Sequence, residues 1–206
     1  MKLMIRGYFQ YVILLIIILS ASTHSFAQKD SIPPIDKSPM DMSYCPPFYP
    51  IHKAQDRIVE PLVARVVYSR PGKNNRQIFG KLVEYGKIWR LGANEATEIE
   101  FYKDVMVQKT KIKKGKYTLY AIPEERTCTL IFNKETDTWG AFLYDEKKDL
   151  LRVNLPVQLP EQTLENFTIY FSLNGSDAKL FFGWDNYSFT LPISVLKIGK
   201  IGRAHV

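Results

Sequence analysis

Phe167-Thr168-Ile169-Tyr170-Phe171-Ser172-Leu173-Asn174-Gly175-Ser176-Asp177-Ala178-Lys179-Leu180-Phe181-Phe182-Gly183-Trp184 is the stretch whose reading decides the fold. Phe167, Ile169, Phe171 and Leu173 recur at every second position, which is the period of a strand with one buried face. Asn174-Gly175 then supplies the residues a two-residue hairpin turn needs, because both tolerate positive φ. Leu180, Phe182 and Trp184 return with the same period, so the run reads as a hairpin. Tyr187, Phe189 and Leu191 follow as a third strand, and Pro192, which lacks an N–H, reads as the mark of a sheet edge.

Working outward, the same period recurs along the chain. Leu62 to Ser69 alternates and is closed by the turn residues Arg70 to Asn75. Glu98 to Tyr102, Val105 to Lys109, Lys111 to Lys113, Tyr117 to Ala121, Cys128 to Phe132, Trp139 to Tyr144 and Leu150 to Pro156 all read as strands. Gln77 to Val83 alone spaces its apolar residues as a short helix. The expectation is an all-β chain, a single β-sandwich of about nine or ten mostly antiparallel strands with one short helix near 77–83.

Both ends read as something other than domain. Lys2 and Arg6 precede an apolar run, Tyr8 to Leu19, and Ser25-Phe26-Ala27 forms a cleavage-site pattern, so residues 1–27 read as a signal peptide. The apolar run, of about a dozen residues, is shorter than the ~20 that span a bilayer, which leaves no transmembrane anchor in the mature chain. Residues 28–50 read as an extended Pro-rich arm lying over the body and burying its aromatic groups, and 51–200 as the sandwich. Ile201 to Val206 back-translates as ATC GGA AGA GCA CAC GTC, a sequencing-adapter sequence, and is read as an artefact.

Charge and residue usage limit the chemistry. Of 28 basic residues, Lys2, Arg6 and Arg203 fall in the two ends, and the remaining 25 against 21 acidic residues give a net charge of +4. That balance gives no argument for nucleic acid. Of three histidines, only His52 lies outside the two ends, which disfavours a multi-histidine zinc site and a serine-histidine-aspartate triad. Cys45 and Cys128 are the only thiols, and export would permit but not require their pairing.

The stretch Tyr85 to Thr97 packs Trp89, Arg90, Asn94, Glu95 and two glycines between ordinary strands. With Arg70 and Arg76 on a nearby turn, it offers guanidinium forks suited to a carboxylate or another planar oxyanion. The same residues could form a self-satisfied network, with Glu95 paired to one arginine and Asn94 capping turn amides. Trp89 suits a core or a sugar platform equally, whereas Trp184 continues an alternating strand and reads as core. Glu95 with Asp149 or Glu98 would be the pair for acid/base hydrolysis. Lys109, Lys111, Lys113, Lys114 and Lys116 read as a lysine-guarded edge strand or, less economically, as a polyanion site.

The runs Tyr68-Ser69-Arg70-Pro71, Ile78-Phe79-Gly80, Tyr85-Gly86-Lys87, Trp89 to Thr97, Gly115 to Tyr120, Trp139-Gly140-Ala141-Phe142 and Asp149-Leu150-Leu151-Arg152 resemble the DUF2911 family, exported proteins common in Bacteroidetes. The resemblance spans nearly all of Ser38 to Val195. It implies export and one mostly-β domain, and supplies no catalytic residue. The chain departs from the pattern at Cys128, where tryptophan is usual, and at Asn75, where glycine is usual. The functional expectation is an exported, non-enzymatic ligand-binding or envelope-associated module. Its candidate ligand-binding residues are Arg70, Arg76, Trp89, Arg90, Asn94 and Glu95, its ligand a small polar, anionic or glycan molecule, with no cofactor or metal. The alternative is a hydrolase of envelope glycan or a small polar substrate, with Glu95 as acid or base.

Overall fold

The computed structural model describes residue 32 and residues 34–57, 61–175 and 177–195; the signal-peptide and adapter readings lie outside them. Among the described residues are eleven strands: β1 (Met40–Cys45), β2 (Ala64–Ser69), β3 (Glu98–Phe101), β4 (Val105–Val107), β5 (Thr110–Ile112), β6 (Gly115–Pro123), β7 (Thr127–Asn133), β8 (Asp149–Pro156), β9 (Leu164–Asn174), β10 (Asp177–Asp185) and β11 (Tyr187–Val195). They form two antiparallel sheets, ordered β1-β2-β3-β6-β7-β8 and β5-β4-β11-β10-β9. The chain is therefore the all-β sandwich its alternation predicts.

The β9–β10 hairpin turns at Gly175, whose φ of 63° suits glycine, with Asn174 paired to Asp177. Beyond it Leu180 faces Phe171 and Phe182 faces Ile169, all buried. Val66, Tyr68, Ile99, Phe101, Leu119, Leu130, Phe132 and Val153 of the other sheet join them in one apolar layer. Each sheet thus buries one face against the other, and burial of side chains this size is the main term stabilising the fold. A smaller cluster lies outside it, where Tyr120 and Ile131 meet Ala96, with Ile88, Ala141 and Tyr144 partly buried against them.

Several expectations are corrected. Residues 77–83 form a turn, not a helix: Gly80 takes φ 80° and donates to Val83 O at 2.9 Å, which closes the chain after one turn. Ile78, Phe79 and Val83 are buried there, and Leu82 is half exposed. Trp139 to Tyr144 is a looped segment whose single β-bridge joins Trp139 to Glu95, since Gly140 at φ 66° bends it away from its neighbours. The connection into β8 is a 3-10 turn, Glu146–Lys148, capped by Asp145. Within the stretch read as an extended arm, Met40–Cys45 pair as the edge strand β1, and its last two residues begin helix α1 (Tyr49–Ala54), which accepts Pro50 because its first turn needs no N–H from it. Phe48, expected to be buried, is exposed. Pro192 sits in an interior strand, one residue before the β4 pairing begins at Ile193. Of the lysines expected to guard an edge, Lys111 does lie on one, in β5, bonded to Asp104 at 2.9 Å, whereas Lys116 lies in the interior strand β6.

Cys45 and Cys128 are both free and buried. They lie on β1 and β7, four strand spacings apart, on the order of 19 Å, well beyond disulfide reach. Burial pushes the Cys45 thiol up to about 11 and the Cys128 thiol up to about 12, from an ordinary 9.0. An acid whose folded pKa is raised stabilises fully below its unfolded pKa and loses that contribution as pH rises through the folded value. Both thiols should therefore resist a thiol reagent at pH 8 until the chain is denatured, and urea midpoints should fall between pH 9 and 11. Neighbouring residues of β10 should separate sharply in urea unfolding: Leu180→Ala should cost about 2–5 kcal/mol. Lys179→Ala, on the exposed face, should change stability by no more than about 0.5 kcal/mol.

Candidate functional site

The polar corner is built on the second half of β6. β3 pairs with Gly115 to Thr118 and then leaves the sheet, and residues 86–89 occupy the vacated side. Gly86 N donates to Pro123 O (2.9 Å), while Trp89 and Ala121 exchange both backbone hydrogen bonds (2.7 and 2.8 Å). The chain then turns through Leu91 (φ 57°), Gly92 (φ 137°) and Asn94 (φ 55°). Thr97 closes the turn, its N–H donating to Arg90 O at 3.1 Å and its hydroxyl to Leu91 O. Gly92 is required, since a Cβ there would lie 2.8 Å from Ser69 O at the end of β2. A turn this well bonded holds its side chains in place.

Trp89 goes into the core. It is 7% exposed, packs edge-on against Phe79 (5.6 Å between ring centroids) and Phe167 (5.1 Å), and stacks on Trp184 at 6.3 Å. Its Nε1 donates to Gly92 O at 3.4 Å. One of its two sequence readings, the buried one, therefore applies.

The three arginines do not share a ligand set. Arg70 donates to Asp41 Oδ2 at 2.7 Å and to Thr168 Oγ1 at 3.3 Å, which ties β1 and β9 to the end of β2. Arg76 folds over its own turn, with Nε on Lys73 O (2.9 Å) and Nη2 on Gly72 O (2.6 Å). Arg90 is half-buried, and among the described residues its buried Nε makes no hydrogen bond, a property it shares with Arg65 Nε, whose Nη2 is however paired with Glu100. Burial lowers the Arg90 pKa from its ordinary value.

Glu95 does not pair with an arginine. It is exposed and, among the described residues, makes no side-chain hydrogen bond or ion pair. Asn94 donates from Nδ2 to Asp36 Oδ2 at 2.9 Å, and it is its backbone carbonyl, not its side chain, that meets a turn amide, Gly140 N at 2.9 Å. The self-satisfied network expected as an alternative is thus absent at both of its key bonds. The other two carboxylates are engaged elsewhere. Glu98 lies 3.2 Å from Lys116 Nζ, and Asp149 accepts from Asn133 (2.8 Å), Tyr144 (2.7 Å) and Arg152 (2.8 Å).

Arg76, Trp89 and Arg90 come together in the lining of a cleft of about 210 Å³, with Pro71, Gly92 and Ala93. Among the described residues its lining contains two arginines and no carboxylate. On its other side Arg90 borders a second concavity of about 150 Å³ with Glu84, Lys87 and Ala141. A wider, shallower concavity of about 420 Å³ runs along Glu146 to Arg152, where Asp149 and Arg152 satisfy one another. Among the described residues no group of His, Cys, Asp and Glu side chains is placed to hold a metal ion. The sequence reading did not include Trp139 and Phe142 in the site; both are exposed beside it, and the signal for that was Gly140, which prevents a strand.

The family model for DUF2911, protein of unknown function, matches residues 50–193, from α1 to near the end of β11. No curated protein and no solved structure matches the chain. Because the Trp89 ring fills the space between the corner and the opposite sheet, Trp89→Ala should cost about 3–5 kcal/mol in urea unfolding. A loss below about 1 kcal/mol would place the indole outside the core.

Proposed function

The chain belongs to the DUF2911 family, proteins of unknown function, and on that premise we propose that it is an exported, non-enzymatic binding module that holds a small oxyanion, a carboxylate or phosphate, on Arg90. The carrying observation is Arg90, half-buried in the lining of a cleft that among the described residues holds a second arginine and no acid, with a buried Nε that makes no hydrogen bond there. Leaving a buried donor unsatisfied costs about 1–3 kcal/mol, more for a charged group, and an oxyanion on the accessible Nη end of the same guanidinium would offset that cost. A half-buried guanidinium also binds an anion more strongly than an exposed one, because less water competes and its fork matches two oxygens at once. Arg76 adds positive charge to the same lining while its own donors hold its turn.

The export half of the reading rests on residues 1–27, with Lys2 and Arg6 ahead of the apolar run. Binding has more support than hydrolysis. Glu95 lies outside the cleft lining, and the two carboxylates that might have worked with it, Glu98 and Asp149, are engaged in ion pairs of their own. Among the described residues no histidine lines the cleft.

Inorganic phosphate and citrate, added to the mature chain, should raise its thermal midpoint in a saturable way, a stabilisation of about 2.7 kcal/mol when the ligand reaches a hundredfold excess over Kd. Arg90→Ala should weaken binding at least about tenfold while the chain stays folded, whereas Arg70→Ala should leave the affinity unchanged. Equal binding by wild type and Arg90→Ala would remove the proposal. Release of product from a labelled glycan, abolished by Glu95→Gln, would instead favour the hydrolytic reading.

A further inference from the structure

The loop following Thr138 is anchored from below and yet exposes its large side chains. Ala141 and Tyr144 pack onto Tyr120 and Ile131 on the outer face of the β6–β7 pair. Gly140 N donates to Asn94 O at 2.9 Å, Ala96 N to Thr138 O at 3.0 Å, and the Tyr120 and Thr138 hydroxyls lie 3.0 Å apart. Trp139 is bridged to Glu95 through the backbone. With the backbone held at so many points, Trp139, Phe142 and Leu143 remain 61%, 83% and 80% exposed. The Phe142 ring lies over Gly140, where a Cβ would come within 2.9 Å of it, so the glycine gives the ring its resting place. Exposed aromatic side chains on a fixed backbone suit a partner, because binding them orders little further chain.

We propose that this loop is a stacking platform for a neutral pyranose saccharide, with Trp139 under the sugar ring and Glu95 accepting from its hydroxyls. The indole face carries partial negative charge and attracts the weakly positive C–H groups on the flat side of a pyranose ring. A sugar also presents hydroxyl donors around its edge, and the Glu95 carboxylate beside the indole is exposed and unpartnered among the described residues. A hydroxyl donating to a carboxylate makes a charge-assisted bond, about twice as strong as a neutral one. Local charge separates this ligand from the other amphipathic candidate, a lipid surface. Glu95, Glu98 and Asp137 stand around the Trp139 end of the loop with Lys116 shared between the last two, at 3.2 and 2.5 Å, and Glu84, Lys87 and Arg90 border Ala141, so four acids face three bases and no basic patch is there to attract anionic headgroups. The acids around Trp139 favour neutral over acidic saccharides. The platform uses neither Arg76 nor Arg90, so it stands or falls apart from the anion cleft.

Tryptophan fluorescence reads this site directly, because Trp139 is exposed while Trp89 and Trp184 are buried. Cellotriose, maltotriose and chitotriose should be titrated into the mature chain with acrylamide as quencher. At least one should shield the indole from quenching saturably, trigalacturonate binding more weakly. Trp139→Ala should lower the affinity at least tenfold by calorimetry and Glu95→Gln several-fold, both with an unchanged thermal midpoint, and Arg90→Ala should have no effect. The proposal is overturned if none of the three neutral sugars protects the indole or if Trp139→Ala binds them equally well. It is also overturned if Trp139 is instead shielded by self-association at rising protein concentration, or by anionic phospholipid vesicles.

Discussion

The position of the Trp89 indole determines the rest of this face of the molecule. Its backbone is bonded to Ala121 in the six-stranded sheet, while its ring lies against Phe167 and Trp184 of the five-stranded one. One residue therefore joins both layers, and the turn that follows inherits its position from that contact. Gly92 passes close over Ser69 O, the Thr97 hydroxyl closes the turn on Leu91 O, and Arg90 is left with its side chain between two concavities. Phe79 completes the arrangement by packing edge-on against Trp89 and stacking on Tyr187 at 3.9 Å, which fixes the 77–83 turn as the neighbouring wall.

This arrangement explains how a charged residue can stand half-buried without a partner. Arginine next to carboxylate is the ordinary outcome where burial removes water. Here Arg65 pairs with Glu100, Arg70 with Asp41 and Arg152 with Asp149, each at about 2.8 Å or less. Arg90 departs from that pattern because the turn directs Glu95 outward to the 139–143 loop and Asn94 toward Asp36. The Arg90 carbonyl accepts from Thr97 N, while its buried Nε, like that of Arg65, has no partner among the described residues; Arg65 still has Glu100 on its Nη2, whereas Arg90 has no carboxylate, and the proposed oxyanion answers to that difference.

Much of the fold was legible because a period of two leaves little choice. Phe167, Ile169 and Phe171, and Leu180, Phe182 and Trp184, face the core as their spacing requires, and Asn174-Gly175 turns the hairpin between them. The misreadings lie where glycine overrides periodicity. Ile78, Phe79, Leu82 and Val83 have helical spacing, yet Gly80 bends the chain into a turn that buries three of the four by another route. Gly140 does the same to a stretch with strand-like composition, and so Trp139 and Phe142 end exposed. Pro192 was misplaced because an edge is one way of accommodating a missing N–H and the end of a short neighbouring strand, β4, is another. At the site, the types of residue were visible but their pairing was not. Whether Glu95 meets Arg90 depends on the direction of the turn at Leu91, Gly92 and Asn94, and short-range pattern does not encode that direction.

Side-chain NMR of the arginine Nε–H groups, with inorganic phosphate titrated into the mature chain, tests the central claim most directly. The account predicts that the Arg90 Nε–H resonance shifts progressively and saturates, while Arg70, held by Asp41, stays where it was. An Arg90 resonance that does not move, or shifts that grow without saturation and equally at every arginine, would contradict it.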